Sequence, residues 1–195
     1  MLLRSVIPSL AVTLIYSEIG IFFFKAHIWQ FNNAYLLGGK YRSLPFEYYL
    51  YLFSFSFFCL ALYQYAKVKL ANKEVAFSLF ISNLIIGVSI ALLFFAYTKW
   101  YTLVSVGMAV LLLLLVEYRS RLRFMGIFYP ACLAGLVPFY AVQYIIANQP
   151  IITYQWNKTM DFGWFKIPFE NHFQYLGMFL LGVFVLEAIK SYKRR

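Results

Sequence analysis

Six stretches of the chain, 6–24, 46–66, 76–97, 100–116, 124–147 and 172–189, are continuously apolar and bounded by charged or turn-forming residues. A helix needs about 20 mostly apolar residues to cross roughly 30 Å of hydrocarbon, where every backbone N–H and C=O must be satisfied within the structure. The other spanning solution, a β-barrel, requires strands that alternate apolar and polar positions. These runs instead contain unbroken stretches such as LLLLLV at 111–116. The chain is therefore predicted to be an all-α integral membrane protein with six transmembrane helices. Its composition agrees: 63% of 195 residues are hydrophobic and 12% charged, with a mean hydropathy of +0.72, which excludes a soluble domain. The first run follows Arg4 and shows no small-residue cleavage pattern before Lys25, so it is expected to be a retained helix rather than a signal peptide.

The formal charge of +10 would suggest nucleic acid in a soluble protein, but here its placement matters more. If all six runs cross, Arg4, Lys67, Lys69, Lys73, Arg119, Arg121, Arg123, Lys190, Lys193, Arg194 and Arg195 share one side. Lys25, Lys40, Arg42, Lys99, Lys158 and Lys166 share the other. The positive-inside rule then predicts a multi-pass protein of the inner cell membrane with both termini cytoplasmic. Its basic residues touch anionic headgroups rather than nucleic acid. Cys59 and Cys132 fall inside predicted helices and read as packing residues. No Cys/His cluster, phosphate-binding glycine loop or redox-cofactor motif is present, so neither a metal nor a cofactor is expected.

The tripeptide Pro-Phe-Glu occurs twice, at Pro45-Phe46-Glu47 and Pro168-Phe169-Glu170, each time at the start of an apolar run. Upstream, Phe31-Asn32 and Gly38 are matched in order by Trp156-Asn157 and Gly163. The spacing from glycine to proline differs by two residues, which predicts a duplication with slippage. Each copy reads as a helix, an outer polar and aromatic loop, and a second helix. Four crossings separate the copies, so the two repeats are predicted to be parallel. A single domain is expected over 1–195, with repeat A at about 5–66, connecting helices at about 76–117 and repeat B at about 124–190.

A proline in the first helical turn followed by a carboxylate is also a well-formed helix start. Two carboxylates at matched depth near the edge of hydrocarbon nevertheless mark a functional candidate. Glu47 and Glu170 are accordingly the candidate catalytic pair. Glu18, inside the first run, is expected to face protein or trapped water, either in a cavity or against a neighbouring helix. Asp161, in the second outer loop, is placed to reach the mouth of the bundle. Asn157-Lys158-Thr159 matches a glycosylation sequon, a weak signal. Glu74, Glu117 and Glu187 lie near inner-side basic residues and read as solvated charges.

The two repeats, with KWYTLVSVGMAVLLLLL at 99–115 and FYPACLAGLVPFYAVQYIIANQPIITYQWN at 128–157, resemble the integral membrane lycopene β-cyclases, known as fused or two-subunit carotenoid cyclases. The resemblance covers nearly the whole chain. It implies a helical bundle that embeds a long polyene, protonates its end group and closes a β-ionone ring by later deprotonation, with no net redox change. On this basis the catalytic residues would be Glu47 and Glu170, assisted by Glu18, Asp161, Asn32 and Asn157. Pro45, Phe46, Gly38, Pro168, Phe169 and Gly163 would be the structural parts of the motif. The chain departs from the family pattern where a second acid usually follows the first: Tyr48 and Asn171 stand there. Gly20 replaces a common acid of the first helix, and Gln143 an asparagine of the fifth. One N-terminal helix common in the family is absent.

The implied partners are a lipid-soluble isoprenoid or carotenoid and membrane lipids, with homo- or hetero-oligomerisation left open. Loss of both second acids supports an alternative, a non-catalytic cyclase-like subunit. Acid-initiated chemistry on another polyprenyl chain is a second alternative, and a transporter fits less well because no ion-coupling site is evident.

Overall fold

A computed structural model describes residues 2–70, 77–120 and 122–192. Glu74 and the basic residues Lys73, Arg121, Lys193, Arg194 and Arg195 lie outside the described residues. Six helices form: α1 Val6–Lys25, α2 Phe46–Lys69, α3 Ser78–Phe95, α4 Trp100–Leu114, α5 Met125–Asn148 and α6 Glu170–Tyr192. α4 runs on into a π turn at Leu115–Arg119. All six are long and apolar enough to span a membrane once that turn is included, so the protein is an all-α multi-pass bundle.

The loops at the end opposite the termini carry short strands: β1 Trp29–Phe31, β2 Lys40–Tyr41, β3 Leu44–Pro45, β4 Ile152–Tyr154, β5 Gly163–Trp164 and β6 Ile167–Pro168. β2–β3 and β5–β6 are hairpins, one per repeat, whose two turn residues all have positive φ: Arg42 and Ser43, Phe165 and Lys166. β1 and β4 pair antiparallel between the repeats, with Trp29 opposite Tyr154, Gln30 opposite Thr153 and Phe31 opposite Ile152. The loops of both repeats therefore lie at the same end of the bundle, as parallel repeats require.

The expected slippage between repeats is corrected. Every element from β1 to the end of α2 recurs 123 residues later: Trp29 at Ile152, Asn33 at Trp156, Lys40 at Gly163, Glu47 at Glu170, Lys69 at Tyr192. In this gapless register Asn32 corresponds to Gln155 rather than Asn157. Gly38, with φ of +92°, corresponds to Asp161, with φ of +58°, rather than to Gly163. Backbone geometry supplies the reason, since both loops turn through a left-handed residue at that point, and only glycine or a short polar side chain adopts it readily. Gln30 and Thr153 are themselves 123 residues apart and face each other, so the pseudo-twofold axis passes between them.

Apolar burial does not drive helix against helix in lipid, so close packing and interhelical hydrogen bonds must hold the bundle. α1 lies against α2 and α6, α5 crosses α2, and α4 runs along α6. The equivalent pairs differ: α1 and α2 pack closely, whereas α5 and α6 touch much less. At the end of the bundle that carries the termini the side chain of buried Gln64 donates to the Ser5 hydroxyl. Its counterpart Glu187, 123 residues on, accepts from Lys67 at 2.7 Å and from Lys190 at 3.1 Å. Glu187 is thus a tie between α2 and α6 rather than a solvated charge. Glu117 likewise accepts from the buried Ser82 hydroxyl, which also bonds Tyr129 at 2.6 Å. Cys59 and Cys132 are free and buried in the core.

Candidate active-site chamber

A chamber sits on the pseudo-twofold axis beneath the β1–β4 ribbon. Its walls contain both members of six equivalent pairs: Tyr16 and Phe139, Trp29 and Ile152, Tyr48 and Asn171, Tyr51 and Gln174, Leu52 and Tyr175, Phe55 and Met178. Tyr101 of α4 enters from outside the repeats, and Tyr154 and Gln143 complete the polar side. The free space is about 50 Å³, room for only a few water molecules.

Aromatic edges and faces dominate: Trp29 and Tyr48 are 5.6 Å apart, Tyr48 and Tyr51 6.4 Å, and Tyr101 and Tyr154 6.1 Å between ring centroids. The polar part centres on the buried Asn171 amide. Its Nδ2 donates to Gln143 Oε1 at 3.1 Å and to the Tyr154 hydroxyl at 2.9 Å, and its Oδ1 accepts from the Tyr101 hydroxyl. Gln143 Nε2 donates in turn to the Tyr51 hydroxyl at 3.4 Å. Burial pushes the Tyr154 phenol up from its ordinary range, so it stays a neutral hydroxyl. The equivalent contact in the first repeat joins Gly20 to Tyr48, whose ring would lie 2.8 Å from a Cβ at Gly20. Glycine is needed there because the Tyr48 ring occupies the space that the Gln143 side chain takes in the second repeat.

The first glutamate of each motif turns away from this chamber. Glu47 Oε1 accepts from the Leu37 N–H at 2.6 Å, and Glu170 Oε1 accepts from the Met160 N–H at 2.7 Å, so each carboxylate ties down its own loop in the same way. Glu170 also accepts from the Thr102 hydroxyl at 2.7 Å and is fully buried under α4, whereas Glu47 is half-buried. In both, Oε2 is out of solvent and has no hydrogen-bond partner. Neither glutamate is among the residues that line the chamber; the next residues, Tyr48 and Asn171, are.

The other candidates are also outside the chamber walls. Glu18 is exposed and forms an ion pair with Arg42, corrected from a cavity or helix-facing position because the β2–β3 turn folds back along α1 and brings the guanidinium to it. Asp161 is exposed, and its N–H donates to the Thr159 hydroxyl. Asn32 caps a short 3-10 turn by accepting from the Ala34 N–H, and Asn157 is exposed, its carbonyl accepting from Lys99. Pro45 and Pro168 end β3 and β6, and Pro45 is the cap of α2 rather than part of its first turn. Phe46 lies over Gly39, and Phe169 meets Phe162 edge to face at 5.6 Å, the equivalent contact 123 residues on. Gly163 is required by close backbone approach, since a Cβ would lie 2.4 Å from the Ile167 carbonyl oxygen.

The profile of the lycopene cyclase family matches residues 1–66 and 98–189, which takes in both repeats, the ribbon and α4. The chain belongs to the lycopene cyclase family. No curated protein and no solved structure matches it. The stretch between the matched segments, 67–97, contains α3, so the chamber of this cyclase-family protein is built wholly from the matched part. Sequence reasoning missed Tyr101, Thr102 and His172. The constant 123-residue spacing would have drawn attention to the turns that flank each Pro-Phe-Glu, His172 among them, but Tyr101 and Thr102 lie outside the repeats and carry no such signal.

Proposed function

We propose that this chain cyclises an end group of a linear carotenoid, lycopene to γ- or β-carotene, by acid–base chemistry that uses no redox cofactor. The observation that carries this is the axial chamber: a narrow, two-repeat space walled by phenol and indole rings in a protein of the lycopene cyclase family. Protonation of a terminal double bond leaves a carbocation, the neighbouring double bond closes on it to form the ring C–C bond, and loss of a proton restores neutrality. Aromatic faces stabilise such a cation by about 0.5–2 kcal/mol each.

The roles expected of Glu47 and Glu170 divide unequally on this geometry. Glu170, fully buried beside Asn171, is assigned the general-acid role, which requires its carboxyl to turn from the Thr102 and Met160 bonds toward the chamber. Glu47 is assigned to holding its loop across the outer end. Both termini are placed in the cytoplasm on the charge asymmetry, and a multi-pass location in the inner membrane follows. A second reading rests on one observation: among the described residues no carboxylate lines the chamber. On that reading the chain binds an isoprenoid as a non-catalytic subunit or acts on another polyprenyl substrate.

Expression in a bacterial host that accumulates lycopene, with chromatography and mass analysis of the pigments, separates the two. A product of unchanged mass with cyclic ends supports the cyclase. Unconverted lycopene from well-inserted protein favours the second reading.

A further inference from the structure

α6, with Phe169 just before it, presents two stripes on nearly opposite faces, joined at the α5 side by His172. Asn171, Gln174, Tyr175 and Met178 line the chamber, while Phe169, His172, Phe173 and Leu176 line a separate groove of about 330 Å³ against Leu84, Ile85 and Val88 of α3. The groove is almost wholly apolar and open to the surroundings, with Leu84 and Val88 about half exposed. The imidazole of His172 stands between groove and chamber. Its Nδ1–H donates to the Phe169 carbonyl at 3.0 Å, so Nε2 accepts from the Tyr140 hydroxyl at 2.7 Å. Its ring packs 5.4 Å from that of Phe139, a chamber wall residue.

The partition sits where α5 and α6 meet only lightly. α5 and α6 touch far less than their equivalents α1 and α2. Pro138 lies immediately before Phe139 and Tyr140 inside α5, where it removes a backbone hydrogen bond and leaves the helix free to flex. The chamber, with about 50 Å³ of free space, admits an end group only when its walls part and leaves no room for the rest of a long polyene.

We infer that the α3–α6 groove holds the apolar tail of the isoprenoid whose end group occupies the chamber, with His172, Tyr140 and Phe139 forming the side gate between them. The identity of that chain rests on the carotenoid reading above. An end group passes laterally from the bilayer when the Tyr140–His172 hydrogen bond opens and Phe139 swings aside. The rest of the polyene then lies along Phe169, Phe173 and Leu176.

The test places a benzophenone on Val88→Cys, and on Ile90→Cys of the same helix as a control pointing elsewhere, in cells that accumulate lycopene. Cys59 and Cys132 are withheld from the reagent by burial. After irradiation, the mass of the adduct identifies what lies in the groove. Polyene adducts enriched several-fold at position 88 over position 90 support the inference. Phospholipid acyl adducts alone at position 88, or equal polyene capture at both, overturn it. Leu84→Trp, which fills the groove without touching the chamber, is expected to reduce the polyene that copurifies; unchanged copurification counts against the groove. Pigment conversion by the unaltered chain is read in parallel. Polyene capture without conversion keeps the groove and sinks the cyclase reading, and conversion with lipid-only capture does the reverse.

Discussion

The Glu170 carboxylate accepts a hydrogen bond from the Thr102 hydroxyl at 2.7 Å. Its repeat equivalent Glu47 makes the matching loop bond to Leu37 but has no such hydroxyl bond, because α4, which carries Thr102, runs along α6. Duplication thus produced two similar loop anchors, and the connecting helices converted only one into a buried group beside the chamber.

Glu170→Gln is expected to lower lycopene conversion by about 10²-fold or more, the usual contribution of a general acid. Glu47→Gln is expected to keep most activity, because the amide oxygen still accepts from the Leu37 N–H. Pigment ratios in lycopene-accumulating cells, normalised to inserted protein, measure both. Equal losses in the two variants would restore a symmetric pair of roles and remove the assignment made to Glu170 alone.

Thr102→Val removes one donor from a fully buried carboxylate while preserving shape. The expected cost is about 1 kcal/mol, since a buried acceptor loses one of its two donors and keeps only the Met160 N–H. Thr102→Ser retains the hydroxyl and is expected to recover most of it. Thermal unfolding in a fixed lipid mixture distinguishes the pair, and indistinguishable midpoints for wild type and the valine variant would show that the Thr102 bond carries no stability.

How much of this was legible in the sequence follows from what each signal depends on. The six spans were readable to within a few residues because bilayer thickness fixes their length and no tertiary contact is needed to see them. The repeat was visible, but its register was misjudged by two residues. In the true register only Pro-Phe-Glu is identical across the whole stretch from β1 to the glutamate, while Phe31-Asn32 and Trp156-Asn157 happen to look alike. What aligns the repeats is left-handed backbone at Gly38 and Asp161 and the matched bonds of Leu37 and Met160, none of which a side-chain pattern records. The same limit applies to the site. Sequence singled out the carboxylates, but which residue faces the axis depends on a helical rotation of one position, and that brought Tyr48 and Asn171 inward instead.

Gly20→Ala is expected to destabilise the bundle by about 1–3 kcal/mol through overpacking, because the new methyl would meet the Tyr48 ring at 2.8 Å. Tyr48→Phe should not relieve it, since ring carbons make that contact as well as the hydroxyl. Tyr48→Ala should. Midpoints of the two double variants in thermal unfolding check this, and rescue by phenylalanine would mean that the hydroxyl alone causes the clash.

The β2–β3 and β5–β6 hairpins both turn through two residues with positive φ, none of them glycine: Arg42 and Ser43, Phe165 and Lys166. Left-handed backbone costs a side-chain-bearing residue roughly 1–2 kcal/mol, and two-residue hairpins of this sign favour glycine at the second position. Ser43→Gly and Lys166→Gly are each expected to raise stability by several tenths to about 1 kcal/mol, less than the steric relief because glycine also frees the unfolded chain. Arg42 and Phe165 are poorer targets: the first holds Glu18, and the second packs against Tyr144 at 6.4 Å. A rise in unfolding midpoint for both glycine variants, additive in the double variant because the hairpins share no partner, is the expected outcome. A fall in either would show that the side chain at that turn contributes contacts worth more than the backbone strain it imposes.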